Sequence, residues 1–112
     1  MRSRETGLRL VVSNVPDEGV ASTIARTLVD ERLAACVNVL GRCRSVYRWQ
    51  GTIETADEIT LLVKTTPACH DDCVQRLAAL HPYDVPELVT LAPDAVWPAY
   101  AQWVVDETRP QA

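Results

Sequence analysis

Glycine is scarce in this chain: Gly7, Gly19, Gly41 and Gly51 are the only four among 112 residues. Four scattered positions cannot build a glycine-rich loop of the kind that cradles phosphate. Positive charge is also short, with 11 Lys and Arg against 15 Asp and Glu and a formal net charge of −4. That balance argues against a general binder of nucleic acid or anionic membranes, both of which need a basic field. No apolar run is long enough to cross a bilayer, and Met1 to Glu5 are polar rather than a secretory leader. Cys36, Cys43, Cys69 and Cys73 lack the ligand spacing of a structural zinc site. They are expected to stand as free thiols in a reducing cytoplasm.

The chain does carry one long alternating stretch, residues 35–65, which reads as a β-hairpin turning near Gln50-Gly51. Val37, Val39, Cys43, Tyr47 and Trp49 occupy odd positions of the outgoing arm, and Ile53, Ile59, Leu61 and Val63 occupy odd positions of the return. A three-residue loop ending in Gly51 would pair odd with odd and gather the apolar residues on one face. Arg42, Arg44 and Arg48 would then share the other face with Glu54 and Glu58, as cross-strand ion pairs. A bulge further along the arms would restore the same phase. An arm of about 15 residues spans roughly 50 Å, against a radius of gyration of about 13 Å for a compact domain of this size. The tip, with Tyr47 and Trp49, is therefore expected to overhang its own core and to be covered by further copies of the chain.

Around this hairpin the periodicities predict a short apolar strand over Leu8 to Ser13. A helix follows, opened by Pro16, Asp17 and Glu18, with Val20, Ile24, Ala25, Leu28 and Val29 on one face. Beyond the hairpin, Thr65 or Thr66 caps a second helix whose buried side carries Cys69, Cys73, Leu77 and Leu80, and which His81-Pro82 ends. A strand over Glu87 to Ala92 and a terminal helix bearing Tyr100, Trp103 and Val104 complete the chain, with the tail from Thr108 frayed. The order β-α-β-β-α-β plus a helix predicts an α+β, ferredoxin-like split βαβ fold: one antiparallel sheet with helices on one face. It is expected to be a single domain over 1–112, with an ordered core from about 8 to 104.

Chemistry-bearing residues are few. His70 beside Cys69 and Cys73 suggests a metal pair on a helix, but two buried thiols on an apolar face account for the spacing. Cys36 and His81 could serve as nucleophile and base, yet no third group orients them. The stretch His81-Pro82-Tyr83-Asp84-Val85-Pro86-Glu87 packs an imidazole, a phenol and two carboxylates into a proline-stiffened connector. It reads either as a rigid link whose polar groups cap neighbouring elements or as the rim of a ligand or metal site.

Five motifs in order, Leu33-Ala34-Ala35-Cys36-Val37-Asn38, Tyr47-x-Trp49-x-Gly51, Lys64-Thr65, His81-Pro82-Tyr83-x-x-Pro86-Glu87 and Tyr100-x-x-Trp103, resemble the CutA divalent-cation tolerance family. The resemblance runs from about Leu8 to Val104. It implies a ferredoxin-like fold, a homotrimer joined through long hairpin strands, a cytoplasmic location in bacteria, and tolerance to copper and other divalent metals without an enzymatic reaction. The trimer it implies resembles that of PII-type signalling proteins, which leaves a small-molecule sensor or scaffold with ligands in intersubunit clefts as the alternative. Cys36, Trp49, Lys64, Tyr83 and Glu87 are the candidates for such a cleft. Copper binding in the family is tied to a cysteine ending the first strand and to a His-His pair before Pro-Tyr. Here those places hold Ser13 and Leu80-His81. His81 is the one metal-ligand candidate retained, with Asp84 or Glu87 as oxygen donors suited to copper(II).

Overall fold

The computed structural model describes residues 7–110. In chain order it holds β1 (Arg9–Val15), α1 (Glu18–Asp30), β2 (Cys36–Trp49), β3 (Thr52–Thr65), α2 (His70–Leu80), β4 (Val89–Leu91) and α3 (Pro98–Glu107). The sheet order is β2-β3-β1-β4 and every neighbouring pair is antiparallel. This is the expected split βαβ arrangement.

Parity along the central strands decides what each face buries. Val11, Ser13 and Val15 of β1 and Ile59, Leu61, Val63 and Thr65 of β3 point to the helix layer and are buried. Ala21, Ile24 and Leu28 of α1 meet them, with Cys73 and Leu77 of α2. Ala21 takes the place expected of Ala25, and Val29 is 42% exposed, because the buried stripe runs through Ala21, Ile24 and Leu28. Asp17 caps α1 by accepting from the Val20 amide at 2.9 Å, so Pro16 stands just outside the helix rather than in its first turn. Thr66 accepts from the Cys69 amide at 3.1 Å, which caps a turn through Pro67, so α2 itself begins at His70.

α3 lies on the opposite face of the sheet, at one end, where Val104 packs with Leu8, Ala35, Leu10 and Tyr100. Trp103 shares the helix with Tyr100, their ring centres 5.6 Å apart, and is 42% exposed. The predicted fraying does not hold at the start of the tail. Thr108 is buried with its hydroxyl on the Val104 carbonyl, and the Arg109 amide donates to the Arg32 carbonyl at 2.8 Å. A bidentate pair between Arg76 and Glu31, at 3.0 and 2.9 Å, ties α2 to α1.

The hairpin is long, as expected, and gives the molecule a principal extent of 47 Å against 27 and 24 Å. Its turn, however, contains two residues. Gln50 and Gly51 both have positive φ, 50° and 82°, and Trp49 pairs with Thr52, as a tight primed turn requires. Tyr47 therefore sits opposite Glu54, and odd pairs with even along the outer hairpin. A bulge between Val39 and Arg42 inserts one extra residue, after which Val39 pairs with Leu61 and Val37 with Val63.

The consequence is a redistribution of charge. Arg42, Arg44 and Arg48 face the helix side, opposite Ile59, Asp57 and Ile53, and Arg44 lies 3.9 Å from Asp57. Glu54 and Glu58 fall on the other face, with Tyr47 and Cys43. The expected arginine–glutamate face is thus split in two by a single inserted residue.

Candidate functional site

On the face turned away from α1 and α2, the outer hairpin and the connector after α2 enclose a groove of about 740 Å³. Asn14, Ser45, Glu58, Tyr83 and Glu87 supply its polar lining, and Tyr47, Trp49, Pro82 and Val85 its apolar walls. β3 delivers Glu58 to the centre because its neighbour Ile59 points into the helix-side core, which leaves Glu58 on this face. Pro82 and Pro86 stiffen the connector that brings Tyr83 over it.

Glu58 is only 9% exposed and is held at both oxygens. The Ser45 hydroxyl donates to Oε1 at 2.6 Å and the Tyr83 phenol to Oε2 at 2.9 Å. Burial, together with the Glu58 carboxylate, pushes the Tyr83 phenol up to about 12. Asn14 extends the network: its amide donates to Glu87 at 3.1 Å and its carbonyl oxygen accepts from Thr60 at 2.6 Å. The Cys43 thiol rests beside it, 3.3 Å from the Thr60 hydroxyl.

His81 is buried at the floor of the connector. Its Nε2 lies 2.9 Å from the Asn14 carbonyl, which can only accept, and its Nδ1 is 3.2 Å from the Tyr83 amide, which can only donate. The ring is therefore the Nε2-protonated tautomer with both nitrogens engaged. Among the described residues no three His, Cys, Asp or Glu side chains gather into a metal-binding group. Ser13 is fully buried in the helix-side core with its hydroxyl unpartnered.

Of the five cleft candidates, Trp49, Tyr83 and Glu87 line this one groove. Cys36 and Lys64 do not. They pair with each other near the other end of the hairpin, where the Lys64 ammonium stands 5.5 Å from the Tyr100 ring centre. That is four β3 residues from Thr60, roughly 13 Å, which also separates Cys36 from His81 and removes the nucleophile–base pairing. Asn14, Ser45 and Glu58 were not foreseen as site residues. The extra residue at Leu40-Gly41 sets the face on which Ser45 emerges, and the alternation of β3 beside Ile59 sets that of Glu58.

The family described as CutA1 divalent ion tolerance protein matches residues 9–107. A divalent-cation tolerance protein CutA from Thermus thermophilus is 46% identical over 88% of this chain and 96% of its own. A CutA homolog from Danio rerio is 37% identical over 87% of this chain, which spans 65% of that longer protein. The crystal structure of CutA from Xylella fastidiosa superposes with a TM-score of 0.90 at 43% identity, covering 93% of this chain and all of that one. Fold, motif order and extent of match agree, and the chain belongs to the CutA1 divalent ion tolerance family.

Proposed function

We propose that this chain is a non-enzymatic protein of divalent-cation tolerance, copper included, working in the cytoplasm as a homotrimer built through its long hairpins. The observation that carries the assembly is the tip. Val46 and Ile53 are 65% and 58% exposed on one face, and Tyr47 and Trp49 are 44% and 48% exposed on the other. An overhanging ribbon with apolar groups on both sides invites association, and further copies of the same chain are the economical cover. Four free cysteines suit a reducing compartment. The tolerance role is supported by membership of the family and by the names of its relatives.

The test is native mass spectrometry with sedimentation, on protein purified without added metal and then titrated with copper(II). A trimer that takes up copper(II) is expected, and a Trp49→Ala chain should assemble more weakly. A folded monomer at micromolar concentration would overturn the assembly, and a trimer indifferent to every divalent ion would overturn direct metal binding.

A second reading, a trimeric sensor or scaffold for a small ligand, is favoured by the polar network in the groove. In an assembly the neighbouring copy would supply a further wall and make the groove a cleft between subunits.

A further inference from the structure

The groove has an electrostatic peculiarity. Glu58 is withdrawn from water yet has no cationic partner among the described residues, whose ion pairs lie elsewhere, at Arg44–Asp57, His70–Asp71 and Arg76–Glu31. Its two hydrogen-bond donors, Ser45 and Tyr83, are neutral hydroxyls. A carboxylate has about four acceptor sites, so two remain open toward the groove. Asp84 and Glu87 add negative charge to the same lining, which contains no Lys, Arg or His. The arginine stripe that could have offset them was sent to the other face by the bulge. Taking a carboxylate out of water without a counter-charge is costly, so this lining favours a positively charged occupant.

The shape narrows the class. A divalent metal needs its ligands drawn into one compact shell, and no three acidic, Cys or His side chains converge here. The acids are instead spread along a groove of about 740 Å³, within the range of roughly 300–1,000 Å³ typical of small-molecule sites. The half-exposed rings of Tyr47 and Trp49 form one wall, and aromatic faces attract ammonium and guanidinium groups.

We propose that the groove between the outer hairpin and the connector after α2 binds a small organic cation, an amine or guanidinium compound. Glu58 is its counter-charge, and Tyr47 and Trp49 lie against its carbon skeleton. The proposal rests on the small-ligand reading above and names its ligand class.

Calorimetric titration of the assembled protein at low ionic strength tests it, with spermidine as the cationic probe, sorbitol as the neutral one and citrate as the anionic one. Spermidine is expected to bind once per chain, and more weakly as salt is added. Glu58→Gln keeps the side-chain shape, removes the charge and is expected to weaken spermidine by roughly ten- to a hundredfold. Trp49→Leu, titrated only as protein that sedimentation shows to keep its assembly, should weaken it by about two- to fivefold. Spermidine binding that ignores Glu58→Gln overturns the proposal. Should that variant fail to fold, Glu87→Gln, at an exposed position, takes its place and is judged in the same way. Sorbitol or citrate binding as tightly as spermidine overturns the cation class and leaves the small-ligand reading standing. If none of the three probes binds, both fall.

Discussion

The phenol of Tyr83 donates to Oε2 of Glu58 over 2.9 Å, and so pins the proline-flanked connector to the middle of β3. The bond joins residues 25 apart in sequence whose meeting depends on the register of a third strand, β2, because Ser45 must hold the other carboxylate oxygen. Tyr83→Phe leaves Glu58 short of one donor and is expected to lower stability by about 1–2 kcal/mol. The pH dependence has a definite sign. The folded phenol titrates near 12 rather than at the ordinary 10, so folding favours its protonated form. Its contribution is whole below pH 10 and is lost as pH climbs through about 12. Urea denaturation of both proteins across this window should show their difference shrinking at the alkaline end. A constant difference would remove Tyr83 as the titrating group.

The pairings of the outer hairpin should survive loss of the bulge residue as well as a side chain placed on it. A Cβ built at Gly41 meets nothing within 4 Å, so Gly41→Ala is expected to be neutral or slightly stabilising. Deleting Gly41 closes the ladder without a slip, because Leu40 then faces Thr60 while Val39 stays opposite Leu61 and Arg42 opposite Ile59. Tyr47 and Trp49 keep their partners and their face, and Ser45 stays beside Glu58. A change of no more than about 1 kcal/mol is expected for the deletion, measured by chemical denaturation. A loss of about 3 kcal/mol or more would show that the local bend at the bulge, and not the register alone, holds the outer hairpin in place.

The same bulge marks where the sequence stopped being legible. Strands and helices declared themselves through local periodicity: Val11 to Val15, Ile24 with Leu28, and Ile59, Leu61 and Val63 all bury the faces their spacing implied. The split βαβ order followed from them. Alternation reports parity within one arm, but the phase between two arms depends on turn length and inserted residues, and a single residue reverses it. Glu58 therefore read as an arginine partner, whereas it forms the buried centre of the groove. Within one chain Trp49, Tyr83 and Glu87 line one groove. Cys36 and Lys64 stand at the other end of the hairpin, because order along the chain carries no information about which end of a 14-residue strand a motif occupies.

Ser13 offers a simpler test of the core. Its hydroxyl is buried among Val11, Val15 and Leu61 with no hydrogen-bond partner. A buried unpaired hydroxyl costs about 1–3 kcal/mol on scales drawn from protein mutants. Ser13→Ala removes that cost at the loss of one small atom and is expected to raise stability, by up to about 1 kcal/mol once the vacated space is counted. Denaturant midpoints at equal slope would measure it. A less stable alanine variant would mean that the hydroxyl has a partner in the assembled protein.

His81 is the residue at which the metal and structural readings part. As a copper(II) ligand it would need a free lone pair, but Nδ1 accepts from the Tyr83 amide and Nε2 carries the proton given to the Asn14 carbonyl. Copper(II) could take the ring only by displacing the connector and surrendering both bonds. His81→Ala strands one backbone acceptor and one backbone donor in a buried place, and is expected to cost about 1–3 kcal/mol of stability. It should also loosen Tyr83 from Glu58, so a Tyr83→Phe change added to it should cost less than it does alone. Copper(II) affinity, by contrast, is expected to change by less than about threefold, since the native ring contributes little to it. Calorimetry and urea denaturation on the same two samples separate the readings. Lost copper binding at unchanged stability would make His81 a ligand, and lost stability at unchanged copper binding would make it the clasp that holds the groove's connector in place.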